Sequence, residues 1–335
     1  MNSTKNITMK DIAQSMNVSV TTVSKVINGH KDISDKTKAD VWEKIHEMGY
    51  VPNIMAVNLR RKQGNVVALL LSDISQPYFS RVIRGYDQVL SAAGYKMMIF
   101  SSMEKREREE ALIKQISSMN IAGIIIDPAY DSDPDERELK QSGIPFVFSN
   151  RFHDADNDYY VAADNEAAGY IATKHLLDRK PGKPVFCVNG PDEISPTIMR
   201  YEGYCRALKE ASIEIRSNQV LDNNFSLDDA YKAGVKIVNQ AVFPCSVFCS
   251  TDQLAIGVMR ALRDSGLIVP RDVSVIGVDD IEIAAYVTPS LTTVALPKEE
   301  IGAQTARMLI KLMNGKTVKK PRMLLQPKLT IRETT

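Results

Sequence analysis

Several residue types are scarce in this 335-residue chain, and each scarcity removes a class of function before any motif is read. Four cysteines (Cys187, Cys205, Cys245 and Cys249) are too few for a disulfide framework in a chain of this length. Cys245 and Cys249 flank an apolar strand pattern with no histidine at ligand spacing, so they read as buried, reduced thiols rather than a zinc site. The four histidines (His30, His46, His153 and His175) form no HExxH pair, and only His153 falls near a candidate cleft loop. The glycines are widely spaced. The closest pair is Gly182 and Gly190, which excludes GxGxxG, GxxxxGK[ST] and GxSxG and the nucleotide and serine-hydrolase chemistry they serve. Gly315-Lys316-Thr317 imitates the end of a phosphate-binding loop, but Ile310 occupies the partner position. No apolar run approaches the ~20 residues of a membrane span, and the N-terminus has no apolar signal segment. The expectation is a cytoplasmic protein that is not an enzyme and carries neither metal nor cofactor.

What is present is unevenly distributed. Overall net charge is +1, but residues 1–63 carry ten Lys/Arg against six Asp/Glu, so a small basic head precedes a larger acidic body. Such a head suits an anionic partner. The 44% of hydrophobic residues suffice for a substantial core, and the length allows two or three domains.

The head reads as three short helices. Thr8-Met9-Lys10-Asp11 has capping-box spacing, and Ile12, Ala13 and Met16 then share one face. Asn17-Val18-Ser19 is a turn in which Ser19 caps the next helix. That helix turns Val23, Val26 and Ile27 inward and leaves Val20, Thr21, Thr22, Ser24 and Lys25 outward. A small polar face with one base fits a major groove, where hydroxyls reach phosphates or base edges and lysine reaches guanine or phosphate. Ser34-Asp35-Lys36-Thr37 begins a third helix with apolar Val41, Trp42, Ile45 and Met48, and Gly49 ends it. On spacing alone, a three-helix bundle with a solvated face fits the same pattern. Ile54–Arg61, after Pro52, is too short for a helix that is stable alone. Leu59 has no evident core to enter, but a minor groove would receive it as a wedge.

The stretch ITMKDIAQSMNVSVTTVSKVINGHKDISDKTKADV, followed by GYVPN, Ala56 and Leu59, resembles the head of the LacI/GalR family of bacterial transcription regulators. The resemblance implies a homodimer that places two recognition helices in adjacent major grooves of a palindromic operator. Val20, Thr21 and Lys25 then become base-reading positions. Thr8, Ser19, Thr22, Ser24, Asn28, Ser34, Thr37 and Asn53 become phosphate or backbone contacts, and Leu59 becomes the minor-groove wedge. Lys25 departs from the usual arginine, and lysine lacks arginine's planar fork.

The body alternates strands and helices. Val66–Ser72 is a continuous apolar run, the mark of a buried strand. Helix Phe79–Ala93, strand Tyr95–Phe100, helix Lys105–Met119, strand Gly123–Ile126, a helix near Pro134–Ser142 and strand Pro145–Phe148 follow. The alternation restarts with helix Glu166–Leu177 and strand Pro184–Asn189, then helix Met199–Ala211 and strand Ile215–Val220. Helix Leu227–Asn239, strand Ser246–Ser250, helix Leu254–Ser265 and strand Val273–Val278 complete it. This predicts an α/β chain in which a helix-turn-helix head and hinge helix precede two doubly wound parallel-sheet lobes. The expected divisions are a head over 1–51, a hinge over 52–64, a first lobe over 65–163 with 293–323, and a second over 164–292 with 324–335.

Ligands of such sheets sit beyond the carboxyl ends of the strands. Asp73, Asn150-Arg151, Thr251-Asp252 and Asp279-Asp280 occupy those positions. Paired carboxylates, an arginine fork and an aromatic face suit a polyol. On the residues alone, Asp252 and Asp279 can instead cap the following helices, and for Asp252 the two roles fit equally well. STDQLAIGVMRAL, SGLIVPRDVSVIGVDD and PSLTTVALP are also similar to the core of the same family, which extends the resemblance to nearly the whole chain. It implies a periplasmic-binding-protein-like core whose effector pocket uses Tyr78, Phe79, Asn150, Arg151, Arg200, Phe225, Thr251, Asp252 and Asp279 beside Asp73. It also implies chain crossings near Ala163, Thr292 and Met323, and dimer contacts along the helix after Tyr78 and around 267–287. The expected activity is sugar-controlled repression of carbohydrate-utilisation genes. A catabolite-control regulator answering to a phosphocarrier protein, and a sugar-binding protein without DNA function, are the alternatives.

Overall fold

The computed structural model describes residues 7–27, 32–50, 64–130, 134–152 and 159–335. The chain divides into two compact units, Met1–Gly64 and Asn65–Thr335.

In the first unit, α1 (Met9–Ser15), α2 (Val20–Ile27) and α3 (Asp35–Glu47) pack around Ile12, Ala13, Val23, Val26, Val41 and Ile45. Each helix begins where a hydroxyl accepts an otherwise orphaned backbone N–H: Asp11 N to Thr8 Oγ1, Thr22 N to Ser19 Oγ and Thr37 N to Ser34 Oγ. Asp11 closes the capping box by accepting from Thr8 N at 2.8 Å. Asn17, at φ +54°, makes the turn between α1 and α2, a left-handed conformation that asparagine tolerates. Met48 caps α3 and Gly49 follows at φ +65°. Trp42 departs from expectation. It is 39% exposed, because the buried stripe runs through Val41 and Ile45 and leaves the intervening residue outside. The proposed hinge residues Pro52–Arg61, with Asn53 and Leu59, lie outside the described residues, as does Asn28.

The second unit contains two six-stranded sheets. In the first, β1 (Val66–Leu71), β2 (Lys96–Ser101), β3 (Gly123–Ile126), β4 (Phe146–Ser149), β5 (Tyr160–Ala163) and β11 (Arg322–Leu325) lie parallel in the order β11-β5-β4-β3-β1-β2. In the second, β6 (Val185–Asn189), β7 (Val220–Asp222), β8 (Cys245–Cys249), β9 (Val273–Asp279), β10 (Thr292–Ala295) and β12 (Lys328–Thr330) run in the order β12-β10-β9-β8-β6-β7. Here β12 alone is antiparallel, to β10. The connecting helices are α4 (Tyr78–Ala92), α5 (Arg106–Ser117), α6 (Pro134–Ser142), α7 (Asn165–Arg179), α8 (Ser195–Glu210), α9 (Leu227–Gln240), α10 (Asp252–Asp264) and α11 (Lys298–Met313).

The lobes exchange chain three times, and two crossings differ from expectation. The first follows Ala163, the last residue of β5. β10 still pairs with β9 through Ala295, so the second crossing falls at Leu296–Pro297 rather than near Thr292. β11 pairs with β5 through Leu325, so the third falls at Gln326–Pro327 rather than near Met323. α8 begins at Ser195 rather than Met199, because Pro196 suits its first turn. β7 occupies Val220–Asp222, later than Ile215–Val220. Cys187, Cys245 and Cys249 are buried, whereas Cys205 is only half-buried. Among the described residues no helix is long and apolar enough to cross a membrane.

Helices α4 and α11 approach so closely that Gly85 and Gly302 face backbone: a Cβ on Gly302 would meet the Val82 carbonyl, and one on Gly85 the Glu299 carbonyl. Helix propensity alone favours alanine at such positions by about 1 kcal/mol. Gly302→Ala is therefore expected to lower unfolding stability in urea by about 1–3 kcal/mol through overpacking. A neutral or stabilising result contradicts the close approach.

Candidate functional site

Two surfaces concentrate the candidate residues. On the head, α2 presents Val20 (42% exposed) and Thr21 outward, with Thr22, Ser24 and Lys25 half-buried beside them. The Lys25 ammonium donates to Asp32 Oδ2 at 2.5 Å, and the two side chains are 40% and 56% exposed. Pairs of that kind contribute little, so an anion can displace the aspartate. Thr8, Ser19 and Ser34 stand at three helix N-termini, where N–H groups and the helix dipole favour negative charge. Thr37 and Thr22 exchange hydroxyl hydrogen bonds with Ser34 and Ser19, each at 2.8 Å.

In the core, a cavity of about 870 Å³ opens between the lobes. Asp73, Ser75, Gln76, Glu104, Ala129 and Tyr130 line it from the first lobe. The second lobe contributes residues 191–194 after β6, residues 222–226 around the end of β7, and Gln253. Of the ten expected pocket residues, only Asp73 and Phe225 line it. The Gln253 side-chain amide holds the Phe225 carbonyl at 2.8 Å. Asp73 takes the Ser75 N–H and hydroxyl at 2.9 and 2.7 Å.

The other eight do not line it, and the structure explains why. Arg151 is buried and places its guanidinium fork on both carboxylate oxygens of Glu104, at 2.7 and 2.8 Å. It also donates to the Pro128 and Ala129 carbonyls. Asn150 donates to the buried Asp127 at 2.9 Å, and Ser72 donates to the same carboxylate. Burial raises the Asp127 carboxyl, and the neighbouring Arg151 opposes that. Tyr78 and Phe79 form an edge-to-face pair, 5.4 Å between centres, inside an apolar cluster that spans both sheets. Burial, then the neighbouring Tyr86, raises the Tyr78 hydroxyl well above the usual phenol. Thr251 caps α10 by accepting the Leu254 N–H at 3.2 Å. Asp252 therefore does not cap its own helix; it accepts instead from Ile281 N at 2.8 Å and from the Thr293 hydroxyl.

Arg200, 4% exposed, joins three elements: it donates to Asn165 Oδ1 at 2.9 Å, the Ser250 carbonyl at 2.6 Å and Asp279 Oδ1 at 3.3 Å. Asp279 also meets the first lobe. Lys298, buried in the first turn of α11, donates to the Asp279 and Asp280 carbonyls. Those two residues sit at φ +116° and +53°, strained for side chains of their kind. Arg332 braces Asp280 through Oδ1 at 2.6 Å. Burial lowers the Lys298 ammonium, opposed first by Asp279. Lys298 and Asp127 were not among the sequence candidates. A lysine opening a helix, against the dipole, was the available signal for the first. An acid directly after β3, matching Asp73 after β1, was the signal for the second.

Residues 8–53 match the family described as bacterial regulatory proteins, lacI family, and residues 173–335 match the periplasmic binding protein-like domain. Over 329 residues, 98% of this chain and 98% of the other, the sequence is 31% identical to the HTH-type transcriptional repressor PurR of Vibrio vulnificus (strain CMCP6). The chain belongs to the LacI family. It is accordingly a DNA-binding transcriptional regulator with a two-lobed effector-binding core. Catabolite control protein A of Priestia megaterium is 29% identical over 330 residues, 98% of this chain and 99% of that one. The solved complex of the transcriptional regulator CelR with cellobiose superposes with a TM-score of 0.77 at 28% identity, covering 98% of this chain and 100% of that one.

The buried acids of this LacI-family core carry a pH signature. Burial, then the charge of Asp279, raises the Asp252 carboxyl from 3.8 to about 8. The fold thus keeps a proton that the unfolded chain releases, so stability falls as pH climbs from about 4 to about 8. Urea midpoints of Asp252→Asn are expected to fall less than those of the natural protein between about pH 5 and about pH 8. Equal falls contradict the assignment of that proton to Asp252.

Proposed function

We propose that the chain is a cytoplasmic, homodimeric repressor of carbohydrate-utilisation genes that acts by binding rather than catalysis. A small sugar held between the lobes sets its affinity for a palindromic operator. The carrying observation is the cavity itself, which both lobes line at the carboxyl ends of their strands. A ligand there touches Asp73 and Tyr130 on one side and Phe225 on the other, so its affinity depends on how the lobes are arranged. Reciprocally, it biases that arrangement. The similar transcriptional regulator CelR was solved in complex with cellobiose, which supports a sugar here.

On the operator, Val20, Thr21 and Lys25 meet base edges. The exposed Val20 suits a thymine methyl and Lys25 a guanine or phosphate. Thr8, Ser19, Thr22, Ser24, Asn28, Ser34, Thr37 and Asn53 position the head on the backbone. Leu59 wedges into the central minor-groove step. In the cleft, Arg200, Asp252 and Asp279 hold the wall to which the ligand binds, and Tyr78, Phe79, Asn150, Arg151 and Thr251 support it. A coupling of ~1–3 kcal/mol gives about a 5- to 150-fold change in operator affinity.

A second reading has its own observation. A groove of about 580 Å³ beside α11 carries Arg307, Lys311, Lys319 and Lys320 over Met308, Ile310 and Val318. Arg307 and Lys311 are four residues apart and so share one helix face. This basic, partly apolar groove fits a phosphorylated phosphocarrier protein as co-effector, as in catabolite control.

Fluorescence anisotropy on a palindromic duplex tests both readings. Leu59→Ala is expected to weaken binding on the order of tenfold or more, because the wedge is lost. Arg200→Ala is expected to bind the duplex and ignore the sugar. Unchanged affinity in the first, or an intact sugar response in the second, removes that residue's role. Under the second reading, Arg307→Ala with Lys311→Ala abolishes enhancement by the phosphocarrier protein and spares the sugar response.

A further inference from the structure

The charge of the cavity is one-sided. Among the described residues its lining contains Asp73, Glu104, Asp192, Glu193 and Asp222, and no lysine, arginine or histidine. These acids are not equivalent. Glu104 is neutralised from behind by the bidentate Arg151, and Asp73 is occupied by Ser75. Asp192, Glu193 and Asp222 have no hydrogen bond or ion pair among the described residues, and all three are exposed. They share one rim of the second lobe. Asp192 and Glu193 follow β6, and Asp222 ends β7 opposite Asn189, the last residue of β6. Arg106, whose guanidinium stands 6.0 Å from the Tyr130 ring centre, does not line the cavity.

A second observation points the same way. Among the described residues, three polar atoms next to strand ends are buried without a partner: Asn189 Oδ1 at the end of β6, Ser250 Oγ directly after β8, and Tyr78 OH in the first turn of α4. Asn189, Ser250 and Tyr78 are 4%, 1% and 8% exposed. Asn189 Oδ1 can only accept, so it calls for a donor. An unmatched buried acceptor beside unpaired carboxylates favours a ligand rich in N–H and O–H donors and opposes one that brings acceptors and negative charge. An ammonium supplies three donors and no acceptor. The faces of Phe225 and Tyr130 attract a cation and cover the apolar side of a ring.

We propose that the ligand of this cleft is cationic, an amine-bearing sugar or polyol, and that the cleft rejects phosphorylated and carboxylated sugars. This rests on the cleft being the effector site. The unpaired acids at the rim attract the ammonium, and Glu104 and Asp73 accept ring hydroxyls on the opposite wall.

The test is calorimetric titration of the full chain with sugar scaffolds, each supplied as the parent, the amine and the phosphate: glucose, galactose, mannose and the disaccharides of glucose. On the scaffold that fits, the amine is expected to bind at least about tenfold tighter than its parent, and the phosphate to bind more weakly than the parent. In Asp192→Asn/Glu193→Gln/Asp222→Asn the preference for the amine over its parent collapses. Operator binding without sugar and an unchanged urea midpoint show that the variant is folded. A phosphate that binds as tightly as its parent, an amine no better than its parent, or a preference that survives the triple substitution overturns the charge assignment and leaves the cleft as the effector site. No binding by any form, with operator binding intact, overturns the cleft reading and the proposal together.

Discussion

A buried ammonium must find acceptors, and Lys298 finds them on the other lobe. Its helix, α11, packs on α4 and the first sheet, whereas β10, directly before it, belongs to the second sheet. The lysine thus stands at a crossing of the chain, and its partners are the carbonyls of Asp279 and Asp280 at the end of β9. Those carbonyls point where they do because both residues adopt positive φ, a conformation that costs on the order of 1–3 kcal/mol each and persists only when over-determined. Lys298, Arg200 and Arg332 supply that determination. Removing one member would leave a buried charge uncompensated, which costs more than the intact pair contributes.

This network decides what is left for a ligand. Arg151, Arg200, Asp252 and Asp279 look like free recognition groups in sequence, but each is committed to the protein itself. They fix the shape of the strand ends on both lobes. The cavity between the lobes is lined instead by loops, 191–194 and 222–226 above all, with Asp73, Glu104 and Tyr130 opposite. Charged strand ends braced by the protein itself, with the cavity lined by loops, suit the effector-binding core of a LacI-family regulator.

The parts legible in sequence were those with a local physical cause. Capping residues announced all three head helices, and the continuous apolar run at Val66 announced β1, because a strand buried on both faces needs no alternation. Strand β5 has only four residues and was missed, as were the edge strands β11 and β12. Helix α11 was also missed, and with it Lys298, because Gly302 interrupts its pattern for a reason that lies on α4. The strand-end acids and arginines were found as a set. Which of them face solvent and which face one another is a long-range property: Arg151 meets Glu104 across 47 residues and Arg200 meets Asp279 across 79.

The central claim is that the cleft and the head are thermodynamically linked. Linkage is reciprocal, so the factor by which a cleft ligand changes operator affinity must equal the factor by which the operator changes ligand affinity. The decisive measurement is therefore a paired titration of one cleft ligand: duplex binding with and without it, and its own binding with and without duplex. Equal factors, different from one, are the predicted result. A ligand that fills the cleft and leaves operator affinity unchanged, with its own affinity equally indifferent to the duplex, would contradict the account.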